Sequence, residues 1–385
     1  MAPTAYLDHA ASTPLRPEVL AAMTPHLAGP GANPSGIHAA ARAAKTALEE
    51  AREQIAAVLG CAVGEVVITG GGTEADNLAV LGVGRVAGPG HGVVAPAFEH
   101  KAVLAARDRL VADGLVAHDV RVGPDGVVDL DHLAACLDDR TAVVSVMLVN
   151  NEVGTVQPLR EVAALVRDRA PRARLHTDAV QATPWCDVAD LAADADLVSV
   201  SAHKCGGPKG VGALVVRDGV VLDPLLVGGG QERGLRAGTV DVAGAVGLAT
   251  ALRITAAQRD AEIERITRLR DRLAAGLAAV GDVTANGDRT RAVAGNLHVR
   301  IAGVESETLL VALDRAGVYA AAGSSCASGA TEPSHVLLAM GMDRVAARES
   351  VRFSLGFAST DADVDHALAV VPETVARLRA ASAAA

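Results

Sequence analysis

The stretch Leu197-Val198-Ser199-Val200-Ser201-Ala202-His203-Lys204, followed by a glycine-rich segment at 205–210, is the most informative part of this chain for its fold. Its first five residues form a short apolar run, which predicts a buried strand. The glycines predict a turn, and a side chain between a rigid strand and a turn is well placed to meet a ligand. Lys204 is therefore a candidate functional residue. A solvated loop lysine is the alternative.

Similar short apolar runs alternate with amphipathic helical stretches along the chain. This alternation predicts an α/β protein with a largely parallel sheet. The predicted strands of this sheet are residues 65–69, 92–95, 142–149, 175–177, 197–201 and 212–216.

A second unit is predicted after residue 255. Apolar residues recur there at spacings of three and four from Ile263 to Leu277, which predicts an amphipathic helix. A strand at 296–301 and a helix at 307–317 follow. We therefore predict a large domain of residues 15–254. A smaller α+β domain would comprise residues 1–14 and 255–385.

Composition excludes several classes of protein. The chain has 385 residues, half of them hydrophobic, so it can bury a large core. Its formal net charge of −10, without any basic block, argues against nucleic-acid binding. Five scattered cysteines without a CxxC pair indicate a reducing compartment and no zinc site. Because no leader or membrane-spanning stretch is evident, we expect a cytoplasmic protein that binds neither membrane nor metal.

Two rare residues indicate chemistry. Lys204 is one of only four lysines among 35 basic residues, and an amine, unlike a guanidinium, can lose its proton and form a Schiff base. Cys326 lies in a run of small residues at 322–330, which cannot pack a core. We expect its thiol on an accessible loop, where reactive thiols occur. An accidental surface cysteine is the alternative.

The segment Thr69-Gly70-Gly71-Gly72-Thr73 places glycines between a strand and a helix start. Unpaired amides and the helix dipole converge at such a turn, so it predicts an anion site, with phosphate as the expected anion. No nucleotide-binding fingerprint accompanies it. A tight turn capped by Thr73 is the alternative interpretation.

Asp178 ends an apolar strand, where a buried carboxylate needs a positive partner. A protonated pyridine nitrogen, as in pyridoxal, would serve, and a core arginine is the alternative. His100 would stack on such a ring, act as an acid or base, or be merely structural.

Together these segments resemble the class V aminotransferase-like, fold type I pyridoxal-phosphate enzymes, and specifically the cysteine desulfurases of the NifS/IscS type. The resemblance extends from residues 6–14 to 351–356. It implies a large domain with a mostly parallel seven-stranded sheet and a smaller α+β domain. Further matching segments are residues 33–35 with His38, and 150–154, 228–233, 236–239 and 332–334.

The resemblance also implies site residues. Lys204 would bind pyridoxal phosphate covalently, and Lys204 or His100 would take the substrate α-proton. Cys326, on a loop at about 322–331, would accept the sulfur of L-cysteine as a persulfide. The implied cofactor-binding residues are Gly72, Thr73, His100, Asp178, Gln181, Ser201, His203, Lys204 and Thr239, the last of them from a partner subunit. The implied substrate-binding residues are Asn33, Asn150 and Arg352.

The implied protein is a homodimer that converts L-cysteine to L-alanine and passes sulfur to an acceptor protein. Iron–sulfur assembly, tRNA thiolation and DNA phosphorothioation are the candidate destinations. A selenocysteine lyase or other enzyme of this class, and a non-catalytic sulfur-relay scaffold, are the alternatives. Ser325 departs conservatively from the alanine usual before the nucleophile. Cys205, beside Lys204, is interpreted as a packed neighbour rather than a rival nucleophile.

Overall fold

A computed structural model describes residues 4–323 and 332–383, apart from the side chain of Ser382. Cys326 and most of the loop predicted to carry it lie outside the described residues. Within the described ranges, every helix is too short or too polar to cross a membrane.

The secondary structure alternates as the sequence predicts. The strands are β1 (Ala5–Tyr6), β2 (Val66–Thr69), β3 (Gly92–Pro96), β4 (Val116–Val120), β5 (Thr141–Ser145), β6 (Arg174–Asp178), β7 (Leu197–Ser201), β8 (Gly212–Val216), β9 (Val283–Ala285), β10 (Asn296–Ile301), β11 (Val318–Tyr319) and β12 (Ser350–Ser354). The α-helices are α1 (Pro17–Ala28), α2 (Ala39–Leu59), α3 (Gly72–Ala87), α4 (Lys101–Ala112), α5 (Leu130–Cys136), α6 (Leu159–Arg169), α7 (Val188–Leu191), α8 (Val242–Ala278), α9 (Ser306–Arg315), α10 (His335–Ala339), α11 (Arg344–Arg348) and α12 (Asp361–Ala383).

A seven-stranded sheet in the order β2-β8-β7-β6-β5-β3-β4 forms the centre of the molecule. The pairs from β4 to β7 are parallel, and β8 runs antiparallel to both β2 and β7. This confirms the predicted mostly parallel sheet. Parallel strands need crossover connections, so their carboxyl ends share one edge, where ligands bind in such sheets.

Local pattern predicted some strands better than others. The predictions for β7, β8 and β10 have the observed bounds. The predicted strand at 142–149 ends at Ser145, although the amides of Val146 and Leu148 still donate to carbonyl oxygens of β6. β4 was not predicted, because this edge strand is largely solvent-accessible and lacks a continuous apolar run.

One apolar cluster joins the two ends of the chain, and separate clusters stabilise its middle part. The cluster that contains Leu7, Ile266 and Phe353 draws on residues 5–7 and 266–375. The clusters around the seven-stranded sheet draw almost wholly on residues 19–252. The helix predicted after residue 255 begins earlier, at Val242, so α8 packs its first half in one cluster and its second half in another. The domain boundaries themselves stay a prediction.

Three buried histidines should make the fold sensitive to acid. Burial lowers the pKa of His9 to about 4 and those of His176 and His298 to about 3. Each ring is neutral in the folded protein, whereas it takes up a proton in the unfolded chain below about pH 6.5. The free energy of unfolding should therefore fall from about pH 6.5 downwards, by about 1.4 kcal/mol per pH unit for each histidine.

We expect His298→Gln to remove the contribution of this histidine to the loss of stability in acid. The free energy of unfolding, measured with urea at several pH values below about 6.5, should then fall less steeply than in the wild type, by about 1.4 kcal/mol per pH unit. Equal slopes for the two proteins would contradict the assignment of a neutral, buried His298.

Candidate functional site

A cavity of about 460 Å³ lies at the carboxyl edge of the parallel strands. Its wall is formed by residues that follow β2, β3, β5, β6 and β7, together with the N-terminal segment and β12. The structure therefore brings together side chains that are far apart in sequence. The predicted site residues on this wall are Gly72, Thr73, His100, Asp178, Gln181, Ser201, His203, Lys204 and Arg352.

Lys204 projects from the end of β7. One 3₁₀ turn, Ala202–Lys204, follows the strand directly. The Nζ atom of Lys204 donates hydrogen bonds to the carbonyl oxygens of Ala10, at 2.5 Å, and Ala11, at 2.9 Å. The N-terminal segment thus helps to hold the amine at the cavity wall.

The glycine-rich turn after β2 forms another part of the wall. Gly71 has φ of 136°, a conformation that favours glycine, and Gly72 begins α3. A Cβ atom on Gly72 would lie 2.7 Å from a methyl group of Val180, so the turn packs closely against the segment after β6. The first amides of a helix have no partner within it. This arrangement fits the anion site that the sequence predicts.

Two buried acidic residues, Asp76 and Asp178, lie near His100 in the site. The side-chain oxygens of Asp76 and Asp178 and a ring nitrogen of His100 all lie within 4.8 Å of one another. Burial raises the pKa of the Asp178 carboxyl, and His100, the Val180 amide and Lys204 oppose that rise. A carboxylate buried at a cavity wall favours a cationic ligand group beside it.

His100 presents a neutral imidazole. It caps α4, with its Nδ1 atom accepting a hydrogen bond from the amide of Ala102 at 3.2 Å. Burial lowers its pKa, and Lys204 contributes to the lowering while Asp178 opposes it. Because Nδ1 is an acceptor, the proton of the neutral ring lies on Nε2.

The residues present fit a phosphorylated ligand with a protonated ring nitrogen. The helix start at Gly72 suits the phosphate, and Asp178 suits the nitrogen. The side-chain oxygens Oε1 of Gln181 and Oδ1 of Asp76 are buried without a hydrogen-bond partner among the described residues. Buried polar atoms are normally paired, so these atoms indicate a polar ligand.

Arg352 lies in the middle of β12 and is 1% exposed. Its guanidinium donates to the carbonyl oxygen of Asn151 at 2.7 Å and to the carboxylate of Asp8 at 2.8 Å, while its Nε atom has no partner among the described residues. A fixed, buried guanidinium at a cavity wall can bind a carboxylate.

Three other predicted residues do not line the cavity within this chain. Asn150 is fully buried, and its side chain accepts hydrogen bonds from the amides of Glu152 and Val153, so it shapes the turn after β5. Its neighbour Asn151 lines the cavity instead. Asn33 and Thr239 are exposed elsewhere on the surface.

Sequence reasoning missed Asp76, Asn151 and Lys209, all of which line the cavity. A signal for Asp76 exists, because this carboxylate interrupts the buried face of α3. Lys209 carries the same signal as Lys204, a lysine in a glycine-rich turn of a chain that otherwise uses arginine.

The described cysteines are poor nucleophiles at neutral pH. Burial raises the pKa of Cys61 and Cys186 to about 11 and that of Cys205 to about 12, and it also raises the pKa of Cys136. The thiolate is the reactive form of cysteine, so these thiols are inert. The Cys205 thiol donates to the carbonyl oxygen of Ala202 at 3.2 Å, in agreement with its interpretation as a packed neighbour.

Comparison with known proteins agrees with this site. The aminotransferase class-V family model matches residues 5–367. An IscS-like cysteine desulfurase of Mycobacterium tuberculosis is 44% identical over 390 residues, which cover 99% of this chain and 98% of that protein. A NifS-like protein of known structure superposes with a TM-score of 0.92 at 33% identity, covering 97% of this chain and 100% of its own.

A structure of SspA in complex with cysteine superposes with a TM-score of 0.81 at 31% identity, covering 93% of this chain and 100% of its own. The predicted fold, family and cofactor, pyridoxal phosphate, are thereby confirmed. The chain belongs to the class-V aminotransferase family of pyridoxal-phosphate enzymes, and within it to the cysteine desulfurases of the IscS and NifS type.

Proposed function

We propose that this protein converts L-cysteine to L-alanine and retains the sulfur on Cys326 as a persulfide, for delivery to an acceptor protein. The observation that carries the proposal is the meeting of Lys204, Asp178 and Arg352 in one cavity with a glycine-rich helix start. Family membership supports the same activity, and burial raises the pKa values of all four described cysteines, to which Cys326 does not belong.

The residues have separate roles in this proposal. Pyridoxal phosphate, when bound, supplies an electron sink for the substrate's α-carbon. Arg352 binds the substrate carboxylate through its guanidinium. The helix start at Gly72, with Thr73, Ser201 and His203, holds the phosphate, and Asp178 pairs with the ring nitrogen.

Proton transfer is assigned to Lys204 and His100. The Lys204 amine, held by two backbone carbonyls, accepts the substrate α-proton when neutral. His100 has its proton on Nε2 and supplies a donor at the same wall. Gln181, whose Oε1 atom is unpaired, orients the cofactor ring.

Sulfur transfer is assigned to Cys326. Its thiolate attacks the substrate sulfur, an S–S bond forms, and the C–S bond of the substrate breaks. The carbon keeps the electron pair of that bond and takes up a proton, so alanine leaves and the persulfide remains. The four described cysteines are excluded from this role by their protonation at neutral pH.

The proposal includes a cytoplasmic homodimer in which Thr239 of the partner subunit completes the phosphate site. Large apolar side chains at the surface support an interface, since Leu27 is 61% exposed, Ile37 91% and Val227 82%. Exposed apolar side chains mark protein contacts where they form one patch, which an interface would require of these residues. The proposed domains are residues 15–254, and 1–14 with 255–385.

The test is incubation of the purified protein with pyridoxal phosphate, L-cysteine and a reductant. We expect alanine and sulfide in equal amounts. Alanine from L-selenocysteine but not from L-cysteine would establish a selenocysteine lyase instead. Absence of turnover with either substrate would favour a non-catalytic sulfur-relay scaffold.

Substitution of Gly212 tests where the phosphate binds. It begins β8 beside the glycine-rich turn, and a Cβ atom there would lie 2.5 Å from the carbonyl oxygen of Val200 and 2.9 Å from the carbonyl carbon of Gly71. Both contacts are backbone atoms, which no rotamer change can move. We expect Gly212→Ala to displace the turn, to destabilise the fold by about 1–3 kcal/mol and to weaken binding of pyridoxal phosphate.

The free energy of unfolding and the dissociation constant of pyridoxal phosphate would be measured together for this variant. Gly64→Ala is the matched control, because a Cβ atom on Gly64 would have no neighbour within 4 Å. Unchanged cofactor binding in a Gly212→Ala protein would show that the turn does not contact the phosphate.

A further inference from the structure

A chain of buried polar side chains runs from the cavity wall into the sheet. The imidazole of His176 lies between two serines, with its Nδ1 atom 2.8 Å from Oγ of Ser145 and its Nε2 atom 2.9 Å from Oγ of Ser199. Ser199 in turn hydrogen-bonds the carboxyl group of Asp76, which lines the cavity. These four residues are 0–1% exposed. Burial of polar side chains is unfavourable unless they are hydrogen-bonded to one another. A buried series of this kind therefore indicates a role for Asp76, the member that lies at the cavity.

Asp76 faces no cation among the described residues. Asp178 and Glu99 are the carboxyl groups that face it. The Nε2 atom of His176 lies 3.6 Å from Oδ1 of Asp76, but burial lowers the pKa of His176 to about 3, so this ring is neutral. His100, the other nearby imidazole, has a lowered pKa as well. An ionised Asp76 would therefore have the hydrogen bond from Ser199 but no positive charge to offset its burial.

Asp178 is better suited to hold a negative charge. It accepts a hydrogen bond from the amide of Val180 at 2.8 Å, and the nearby Lys204 favours its ionised form. Two neighbouring buried carboxyl groups cannot both ionise readily, which favours one proton on the pair. Burial, and then the charge of Asp178, raise the pKa of Asp76 well above its usual range.

We propose that Asp76 is a positioning residue for the cofactor. Asp76 carries the one proton of the Asp76–Asp178 pair and thereby keeps the single negative charge of the pair on Asp178. The inference rests on the proposed function, since Asp178 meets a ring nitrogen only when pyridoxal phosphate occupies the cavity. Ser199 and His176 fix the orientation of the Asp76 carboxyl group from the side of the sheet.

The first test uses two neutral replacements of similar shape. Asp76→Asn keeps a neutral polar side chain beside Ser199 and Asp178, whereas Asp76→Leu does not. Binding of pyridoxal phosphate would be followed by fluorescence of Trp185, the one tryptophan of the chain, with a chelator present so that no metal ion occupies the three-residue cluster.

We expect the dissociation constant of Asp76→Asn to stay within about twofold of the wild type. Asp76→Leu should bind about tenfold more weakly, because it leaves no polar side chain beside the buried Asp178 and Ser199, and the pH midpoint of the bound cofactor's absorbance should shift. Asp178→Asn is the reference for loss of the charge itself. If Asp76→Asn weakens binding as much as Asp178→Asn, Asp76 is itself ionised and the proposal is wrong.

A second test needs no cofactor and no activity. If Asp76 holds a proton in the folded protein, its raised pKa contributes to the free energy of unfolding. This contribution is fully present below the usual carboxyl pKa of about 4 and is lost as the pH rises towards the raised pKa of the folded protein. The free energy of unfolding of cofactor-free Asp76→Asn should therefore exceed that of the wild type by a margin that grows above about pH 4. A constant margin would overturn the proposal, and Asp76→Leu allows the same comparison if the asparagine variant does not fold.

The two tests separate this inference from the proposed function. A wild-type protein that binds pyridoxal phosphate but releases no alanine from L-cysteine would refute the function and leave the proton assignment standing. An active wild type in which Asp76→Asn shows a constant stability margin would refute the assignment alone.

Discussion

Replacement of Lys204 by alanine is expected to reduce alanine production from L-cysteine by on the order of 10⁴-fold, the upper range for loss of a proton-transferring group. At the cavity wall, the Lys204 amine donates hydrogen bonds to two backbone carbonyl oxygens, which fix its position. No arginine can replace it, because a guanidinium does not lose its proton in a protein. Lys204→Arg should therefore be as inactive as Lys204→Ala.

The measurement has a second readout that is independent of turnover. Borohydride reduction should attach the cofactor permanently to the wild type and not to either Lys204 variant. Lys45→Ala, at an exposed position of α2, is the control and should retain both activity and attachment. Cofactor attached to Lys204→Ala would place the covalent link on another lysine, and Lys209 would then be the candidate on the cavity wall.

Replacement of Cys326 by serine is expected to reduce alanine production by at least about 10³-fold, since removal of a nucleophile leaves only the contribution of binding. Of the five cysteines, the four in the described ranges have pKa values raised by burial. The sequence around Cys326, a run of small residues, predicts an accessible thiol.

Cofactor binding should distinguish Cys326→Ser from Lys204→Ala. Cys326→Ser should bind pyridoxal phosphate normally and should still bind L-cysteine, as seen in the absorbance of the bound cofactor. Mass spectrometry of the wild type after brief exposure to L-cysteine should show one additional sulfur atom on the peptide with Cys326. Cys61→Ser is the control. Turnover that survives in Cys326→Ser would exclude the persulfide mechanism and favour a lyase.

Short-range features of this protein could be predicted from sequence because they depend on neighbours along the chain. The bounds of β7, β8 and β10 follow from runs of apolar residues, and the helix start at Gly72 follows from the glycines before it. The continuous course of α8 could not be predicted, because its two halves have their apolar residues in different clusters. Such a helix has no single amphipathic face.

The α/β fold, the family and the candidate residues Lys204, Asp178 and Cys326 could all be predicted from sequence. Three features became clear only from the packed chain: Arg352 reaches the same cavity from β12, Asn151 rather than Asn150 lines the wall, and Asp76 lies next to Asp178. The physical reason is that local pattern specifies which face of a strand or helix is buried. Which charged groups then meet, and how burial changes their pKa values, depends on packing between segments that are distant in the chain.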